Sequence, residues 1–319
     1  MNDFYLCRGL EVLVYKDKMH FDGNEFEQKV RQYYYVEKDN LIKWMNDGKL
    51  RYLYNNGVFE EEKLRYFDAI YFAPDVYYSS KDEEGLSRFS FMENGTEYLF
   101  EIESEKLLSR IEYNPGNSVL MIPTSDDRQL LFYTKTGERL WVYDEEEVVK
   151  GTELEIVRFP SVVDDVVVII SEIITESIRK AQGFNIRTGE KLWELRDDVC
   201  PRHLFEGDDK MLYGCLSIYD ELVLCRLDPF TGKFDKWAVK RDEGISVCSW
   251  NVSMHNNRLY YGSNRPGCEF GIIDCGQKEL VESVALGLKS GYQIGAPIVS
   301  DGKVYVFSRF AGELRVYEL

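Results

Sequence analysis

Carboxylates dominate what this chain could do chemically: 56 Asp and Glu stand against 39 Lys and Arg, a net charge of −17 over 319 residues. They come in runs, at Glu60, Glu61 and Glu62, at Asp144, Glu145, Glu146 and Glu147, at Asp197 and Asp198, and at Asp242 and Glu243. Such runs could serve acid–base catalysis, calcium binding or attraction of a basic partner. The adjacent pairs Asp126-Asp127 and Asp164-Asp165 carry no weight as an acid and its base, because pairs recur by chance in so acidic a chain. No D-x-[DN]-x-[DN]-G spacing of a calcium loop occurs. What remains is a focused negative field, which speeds the approach of a cationic partner. The same charge argues against nucleic acid, whose phosphates need clustered Lys and Arg, and against an anionic membrane surface.

Nucleophiles and metal ligands are sparse. His20, His203 and His255 lie outside ligand spacing of one another and of any cysteine pair. His255 follows Ser249 and Ser253, but no nucleophile-elbow pattern surrounds either serine. The seven cysteines, Cys7, Cys200, Cys215, Cys225, Cys248, Cys268 and Cys275, are odd in number and hold no CxxC. Cys215 and Cys225 could face each other across a hairpin; buried, reduced thiols are the expected state. No catalytic residue, metal or cofactor is expected from these patterns. The N-terminus lacks a basic segment followed by an apolar stretch and a cleavage site, and no apolar run reaches the roughly 20 residues that span a bilayer. A cytoplasmic protein is the expectation.

The elements that must position these groups are strands, and they repeat. Residues 129–141 read QLLFYTKTGERLW, 181–193 read AQGFNIRTGEKLW, and 224–237 read LCRLDPFTGKFDKW. Each is an alternating apolar strand, a Thr-Gly turn and a second strand bearing Trp141, Trp193 or Trp237. A weaker copy, FGIIDCGQKELV at 270–281, places Gly276 at the turn and Val281 at the Trp position. Turn glycines at 137, 189, 232 and 276 give spacings of 52, 43 and 44 residues, the length of a four-stranded propeller blade. Glycine suits a tight turn that requires φ > 0, and the preceding Thr hydroxyl can close it on nearby backbone. Each Trp is expected largely buried against the neighbouring blade, a contact contributing roughly 2–3 kcal/mol.

Phasing from these turns predicts an all-β, seven-bladed β-propeller, with six blades as the alternative, in one domain over 1–319. Blades are expected near 11–54, 66–113, 117–143, 154–196, 202–239, 246–286 and 292–319. The last blade lacks its fourth strand, and residues 3–8 are expected to supply it by pairing with 313–318, so that strands from both chain ends close the ring and remove two sheet edges. The acidic runs then fall in inter-blade loops, on the face opposite the Thr-Gly turns. Val162 to Ile174, the longest apolar run, reads as a buried central strand.

The strand–Thr-Gly–strand–Trp module of roughly the last 200 residues resembles the repeat of quinoprotein-like (PQQ-type) β-propellers, with 188–193 as its best copy. That resemblance implies the fold and leaves function open, because the repeat serves dehydrogenases, scaffolds and sensors alike. The quinone-dependent dehydrogenases are exported, longer, and carry adjacent cysteines that stack on the cofactor; no two cysteines are adjacent here. The exported lipoprotein scaffold of outer-membrane assembly starts with a lipobox, which Cys7 does not satisfy. The reading is therefore a non-enzymatic, protein-binding propeller, monomeric apart from its partner. An immunity-type protein that neutralises a basic bacterial toxin domain leads. Alternatives are a cytoplasmic scaffold of a larger complex, or a propeller hydrolase or lyase with a central-channel site. Tyr113, Tyr143 and Trp250 are the candidate aromatic anchors beside the acids.

Overall fold

Antiparallel meanders succeed one another along the chain of this computed structural model. It describes strand backbone from Asp3 to Glu318, and side chains at 116–123, 129–144, 160–172, 179–241, 244–263, 268–288, 294–300, 302–308 and 313–319. The described strands fall into eight sheets, spanning 3–27, 34–63, 70–103, 112–144, 154–197, 205–239, 247–288 and 298–318. The last has three strands and the fifth has five, because Leu154–Ile156 and Ser161–Val163 both pair with Val166–Ile173; the others have four. Apart from that shared pairing in the fifth sheet, the strands of each sheet pair in chain order, which is the arrangement of a propeller blade. The chain divides into two compact units, one of Gly151–Asn185 and Glu190–Leu319, the other of Asn2–Lys150 with Ile186–Gly189. Among the described residues no helix is long and apolar enough to cross a membrane.

The fourth to seventh sheets sit close to where the repeat placed them; the first 110 residues do not. Two blades were expected there, and three sheets are found. Residues 3–8 were expected to pair with 313–318. Asp3–Cys7 pairs instead with Leu10–Val14 and opens a four-stranded sheet of its own, while Glu313–Glu318 pairs with Lys303–Ser308. The reason is local. Only two residues separate the first strand from the second, so the hairpin closes at a small entropic cost.

Within the unit that holds the fifth to eighth sheets, each sheet packs face to face on the next. Val163, Val166, Val168, Ile170 and Ala181 of the fifth meet Leu212 and Leu227 of the sixth. Leu222 and Leu224 of the sixth meet Leu259, Tyr261 and Ile273 of the seventh. Tyr260, Phe270 and Ile272 of the seventh meet Val304 and Val306 of the eighth. Consecutive residues such as Leu259, Tyr260 and Tyr261 thus serve two different cores, which is why middle strands read as unbroken apolar runs. Val166–Ile173 is such a strand, preceded by a turn at Asp164-Asp165 rather than running from Val162.

The Trp-bearing strand is the last of its sheet, and its indole docks on the third turn of the following sheet. Trp141 Nε1 donates to the Ile186 carbonyl at 2.8 Å, and Trp193 Nε1 to the Pro229 carbonyl at 2.7 Å. Gly137, Gly189 and Gly232 all have positive φ. A Cβ added at Gly189 would lie 2.6 Å from the Trp141 ring, and one at Gly232 would lie 2.7 Å from the Trp193 ring. Glycine is required there both by conformation and by the indole. The three Trp are mostly covered, as expected, but not sealed, since each covers a turn at a sheet end. In the weaker copy Gly276 is not the left-handed residue; Lys278 is, at φ 62°. Asp274 Oδ1 accepts from the amides of Gly276 and Gln277 as Asp228 Oδ1 accepts from those of Phe230 and Thr231. Lys278 therefore stands where Gly232 stands, and its Nζ lies 4.0 Å from the centroid of Trp237.

Six cysteines fall among the described residues and all are free; Cys215 and Cys225 form no disulfide with each other. Burial pushes the Cys200 thiol up to about 12, with Arg179 and Lys236 pulling it down a little and Asp197 adding to the rise. Burial does the same for Cys275, also to about 12, with Asp274 the next contributor.

Two outcomes are expected. Gly232→Ala should destabilise by more than about 1 kcal/mol, through positive φ and the Trp193 contact together, and Trp193→Ala by roughly 3 kcal/mol; urea unfolding of both variants measures this. The buried thiols also set a pH dependence. Unfolded cysteines ionise near pH 9, whereas Cys200 and Cys275 stay protonated in the folded chain to about pH 12. The folded state binds more protons in that interval, so their contribution is complete below about pH 9 and lost as pH rises toward 12. The urea midpoint under reductant should fall across that window, and less so in Cys200→Ala.

Candidate functional site

A four-stranded meander sorts its loops by end. The first and third turns lie at one end, and the second turn and the connector to the next sheet lie at the other. The Thr-Gly turns are third turns, so each connector leaves its sheet opposite its Thr-Gly turn. At the connector end of the sixth sheet, Tyr219 and Asp220 form the whole second turn, between Leu212–Ile218 and Glu221–Leu227. The Ile245 amide donates to the Asp220 carbonyl at 2.9 Å, and the Val247 amide to Ser217 Oγ at 2.9 Å. Those two bonds hold the following connector against this turn.

Tyr219 is 98% exposed and left-handed at φ 46°, with Asp220 at φ 71°. Two-residue turns with φ > 0 at both positions favour Asn and Gly, because a bulky side chain there is strained. The first turn of the seventh sheet shows the expected solution, Asn256 at φ 47° and Asn257 at φ 55°. A tyrosine in this conformation with its ring in water has no packing to compensate it, and strain held at an exposed position points to a function. Exposed Glu221 follows directly. Sequence reading missed Tyr219; the signal was a Tyr-Asp pair between two apolar runs, where a hairpin calls for Asn-Gly.

The expected acids fare unevenly. Asp144 ends the last strand of the fourth sheet and accepts a hydrogen bond from Gln129 Nε2. Asp197 ends the last strand of the fifth, pairs with Lys236 Nζ at 2.9 Å and accepts from the Val199 amide at 2.7 Å. Both acids are thus tied into local structure, while Asp198 is exposed in the turn that follows. Glu60, Glu61 and Glu62 were expected in a loop. They belong to the strand Val58–Lys63, opposite Leu53, Tyr52 and Arg51. A last strand has an open outer edge, where charge is tolerated and discourages pairing with other chains. Their side chains lie outside the described residues, as do Glu145, Glu146, Glu147, Asp242 and Glu243.

Of the aromatic candidates, Tyr143 is 6% exposed and belongs to the core, whereas Trp250, on Val247–His255, is 50% exposed. The Tyr113 side chain lies outside the described residues. Ser249 Oγ accepts from the Arg202 amide at 3.2 Å, and Ser253 Oγ donates to the Pro297 carbonyl, so each serine has a partner other than His255, which is exposed. Among the described residues no group of three His, Cys, Asp or Glu is placed to hold a metal.

No protein-family model matches the chain, and no curated protein matches it. Solved structures do. Kuenenia stuttgartiensis hydrazine synthase aligns at 12% identity over 88% of this chain and 93% of that one, with a TM-score of 0.53. KlHsv2 with loop 6CD replaced by a Gly-Ser linker aligns at 8% identity over 89% and 91%, with a TM-score of 0.52. The β-propeller domain of Myceliophteria thermophila Cps50 (Swd1) aligns at 11% identity over 99% and 96%, with a TM-score of 0.48. At such identities the first two likenesses speak for fold alone, in keeping with the blade-type meanders. The activity named for the first stays with that protein.

The Asp197–Lys236 pair yields a prediction at this end of the molecule. A double-mutant cycle with Asp197→Asn and Lys236→Met should give a coupling of about 0.5–1 kcal/mol that shrinks with added salt. Thermal melts of the four proteins at low and high ionic strength measure it.

Proposed function

We propose that this chain is a non-enzymatic, protein-binding propeller of immunity type, which neutralises a cognate toxin by covering its basic surface. The observation that carries the reading is Tyr219, an aromatic ring held in water by a strained turn at the connector end of its sheet. Aromatic residues are the usual anchors of protein interfaces, and charged surroundings contribute more to encounter than to affinity. Glu221, two residues on, and Asp198 in the preceding connector are exposed, and the chain as a whole is strongly acidic. A cationic partner is therefore steered toward the molecule by the summed field and fastened by the ring.

Tyr219→Asn separates the two roles, because asparagine adopts the left-handed turn readily. The variant should be more stable by roughly 0.5–1 kcal/mol and a poorer antagonist. The measurement is growth of a host expressing the product of the reading frame beside this gene, together with wild-type or Tyr219→Asn protein. Growth arrest relieved by the wild type and not by the variant is the expected result. Absence of arrest overturns the immunity reading, and equal rescue by both proteins removes Tyr219 from the interface.

A further inference from the structure

The eighth sheet has three strands where the other seven have four or five. Lys303–Ser308 stands in second place and Glu313–Glu318 in third. In the sixth sheet the strand in third place, Glu221–Leu227, is buried from Leu222 to Cys225. In Glu313–Glu318 no residue is buried; Val316 is 43% exposed and the Glu318 side chain 81%. What a fourth strand covers elsewhere is open here.

The ladder fixes which backbone groups face that open edge. The Leu319 amide donates to the Gly302 carbonyl at 2.8 Å, continuing the register in which Glu318 faces Lys303. In an antiparallel pair, residues bonded to the partner strand alternate with residues whose N–H and C=O point away. Glu313, Arg315 and Tyr317 therefore bond inward, and Leu314, Val316 and Glu318 present their N–H and C=O outward. The far side of Lys303–Ser308 agrees. The Gly295 amide donates to the Phe307 carbonyl at 3.1 Å, so Phe307, opposite Leu314, is turned away from Glu313–Glu318.

An edge has no pocket, so it recognises another edge in matching register. We propose that Glu313–Glu318 pairs antiparallel with the same strand of a second copy of this chain, about a two-fold axis beside Val316. Outward residues bond only to outward residues, and this register uses all of them. Leu314 faces Glu318 of the second copy, Val316 faces Val316, and Glu318 faces Leu314. Between them Arg315 faces Tyr317 and Glu313 faces Leu319, so no like charges lie directly opposite. Arg315 is already paired with Glu313 of its own chain at 2.9 Å. A shift of two residues either way leaves one outward residue unbonded, and one of the two shifts also sets Arg315 against Arg315. The strand is thus complementary to itself, as a two-fold interface requires. Its central outward residue is a β-branched valine, whereas Glu60, Glu61 and Glu62 charge the last strand of the second sheet. Pairing of so short an edge covers little area, which makes the dimer a transient one. Each copy carries a net charge of −17, so the two repel at long range and added salt tightens the pair. That salt dependence is opposite to the one expected for capture of a basic toxin, and the two readings stand or fall separately.

Sedimentation of the full chain, from micromolar to millimolar concentration at low and high salt, gives the test. A reversible monomer–dimer equilibrium that moves toward dimer as salt rises is the expected result. Val316→Lys sets two ammonium groups face to face and should weaken the dimer by about fivefold or more. Its melting temperature should stay near that of the wild type, because an exposed position is being changed. A covalent trap reads the register. Bonded residues of an antiparallel pair have Cα atoms about 5.5 Å apart, within reach of a disulfide. Val316→Cys should therefore form a covalent dimer under a mild oxidant, and Arg315→Cys and the wild type should not. A wild type that stays monomeric throughout overturns the proposal and leaves the edge to a strand of another protein. A dimer that a folded Val316→Lys chain forms as readily as the wild type overturns it too, as does cross-linking through Arg315→Cys without cross-linking through Val316→Cys.

Discussion

Successive sheets are keyed together where the indole of a last strand lies flat on the third turn of the sheet that follows. The contact demands a missing Cβ under the ring and a left-handed backbone at the same residue, and glycine alone meets both without strain. It also uses the turn's own carbonyls, Ile186 for Trp141 and Pro229 for Trp193, which accept the indole N–H and so leave no buried donor unmet. Trp193 lies over Gly183 of its own sheet as well as Gly232 of the next. A strand glycine and a turn glycine of the next sheet thus shape one slot, and strand order, turn type and sheet spacing depend on the same ring.

The third link shows how far this constraint bends. At the seventh sheet the left-handed position is Lys278, which carries a side chain and still sits against the preceding indole. Its ammonium meets the ring face at 4.0 Å, so a cation–π contact worth roughly 0.5–1 kcal/mol offsets part of the backbone strain. The same balance is absent at Tyr219, where a strained side chain meets only water. Strain offset by packing is structural; strain with nothing to offset it has to be retained for another reason.

Legibility in the sequence followed the strength of this key. Where Thr-Gly and Trp recur, sheet boundaries and the order of strands could be read to within a few residues. The Gly276 copy misled because a glycine was taken as the turn residue, whereas the capping carboxylates Asp228 and Asp274 align the two turns and put Lys278 at the left-handed place. In the first 110 residues the key is missing, and many of the strands are only 3–6 residues long and show little periodicity. Yet the pairs separating strands there include Asp22-Gly23, Asn56-Gly57 and Asn94-Gly95, the strongest short-range hairpin signal there is. A turn at Asn56-Gly57 by itself puts Glu60, Glu61 and Glu62 in a strand. The meeting of Glu172 with Arg179 and Arg202 had no such signal, because the ladder and the connector bring these residues together rather than their spacing.

Burial on both faces leaves a stacked sheet few places for function. Residues of the middle strands are committed to one core or the next, and outer-edge residues face water without a neighbour to shape them. The ends remain, and they differ in kind. At the Thr-Gly end the backbone is spoken for by the docked indoles. At the connector end no repeated contact dictates the residue, so Tyr219, Glu221, Arg202 and Trp250 can vary without unkeying the sheets. That freedom explains why departures from the ordinary choice gather there: a tyrosine where asparagine would be easier, and two arginines on one carboxylate in a chain of net charge −17.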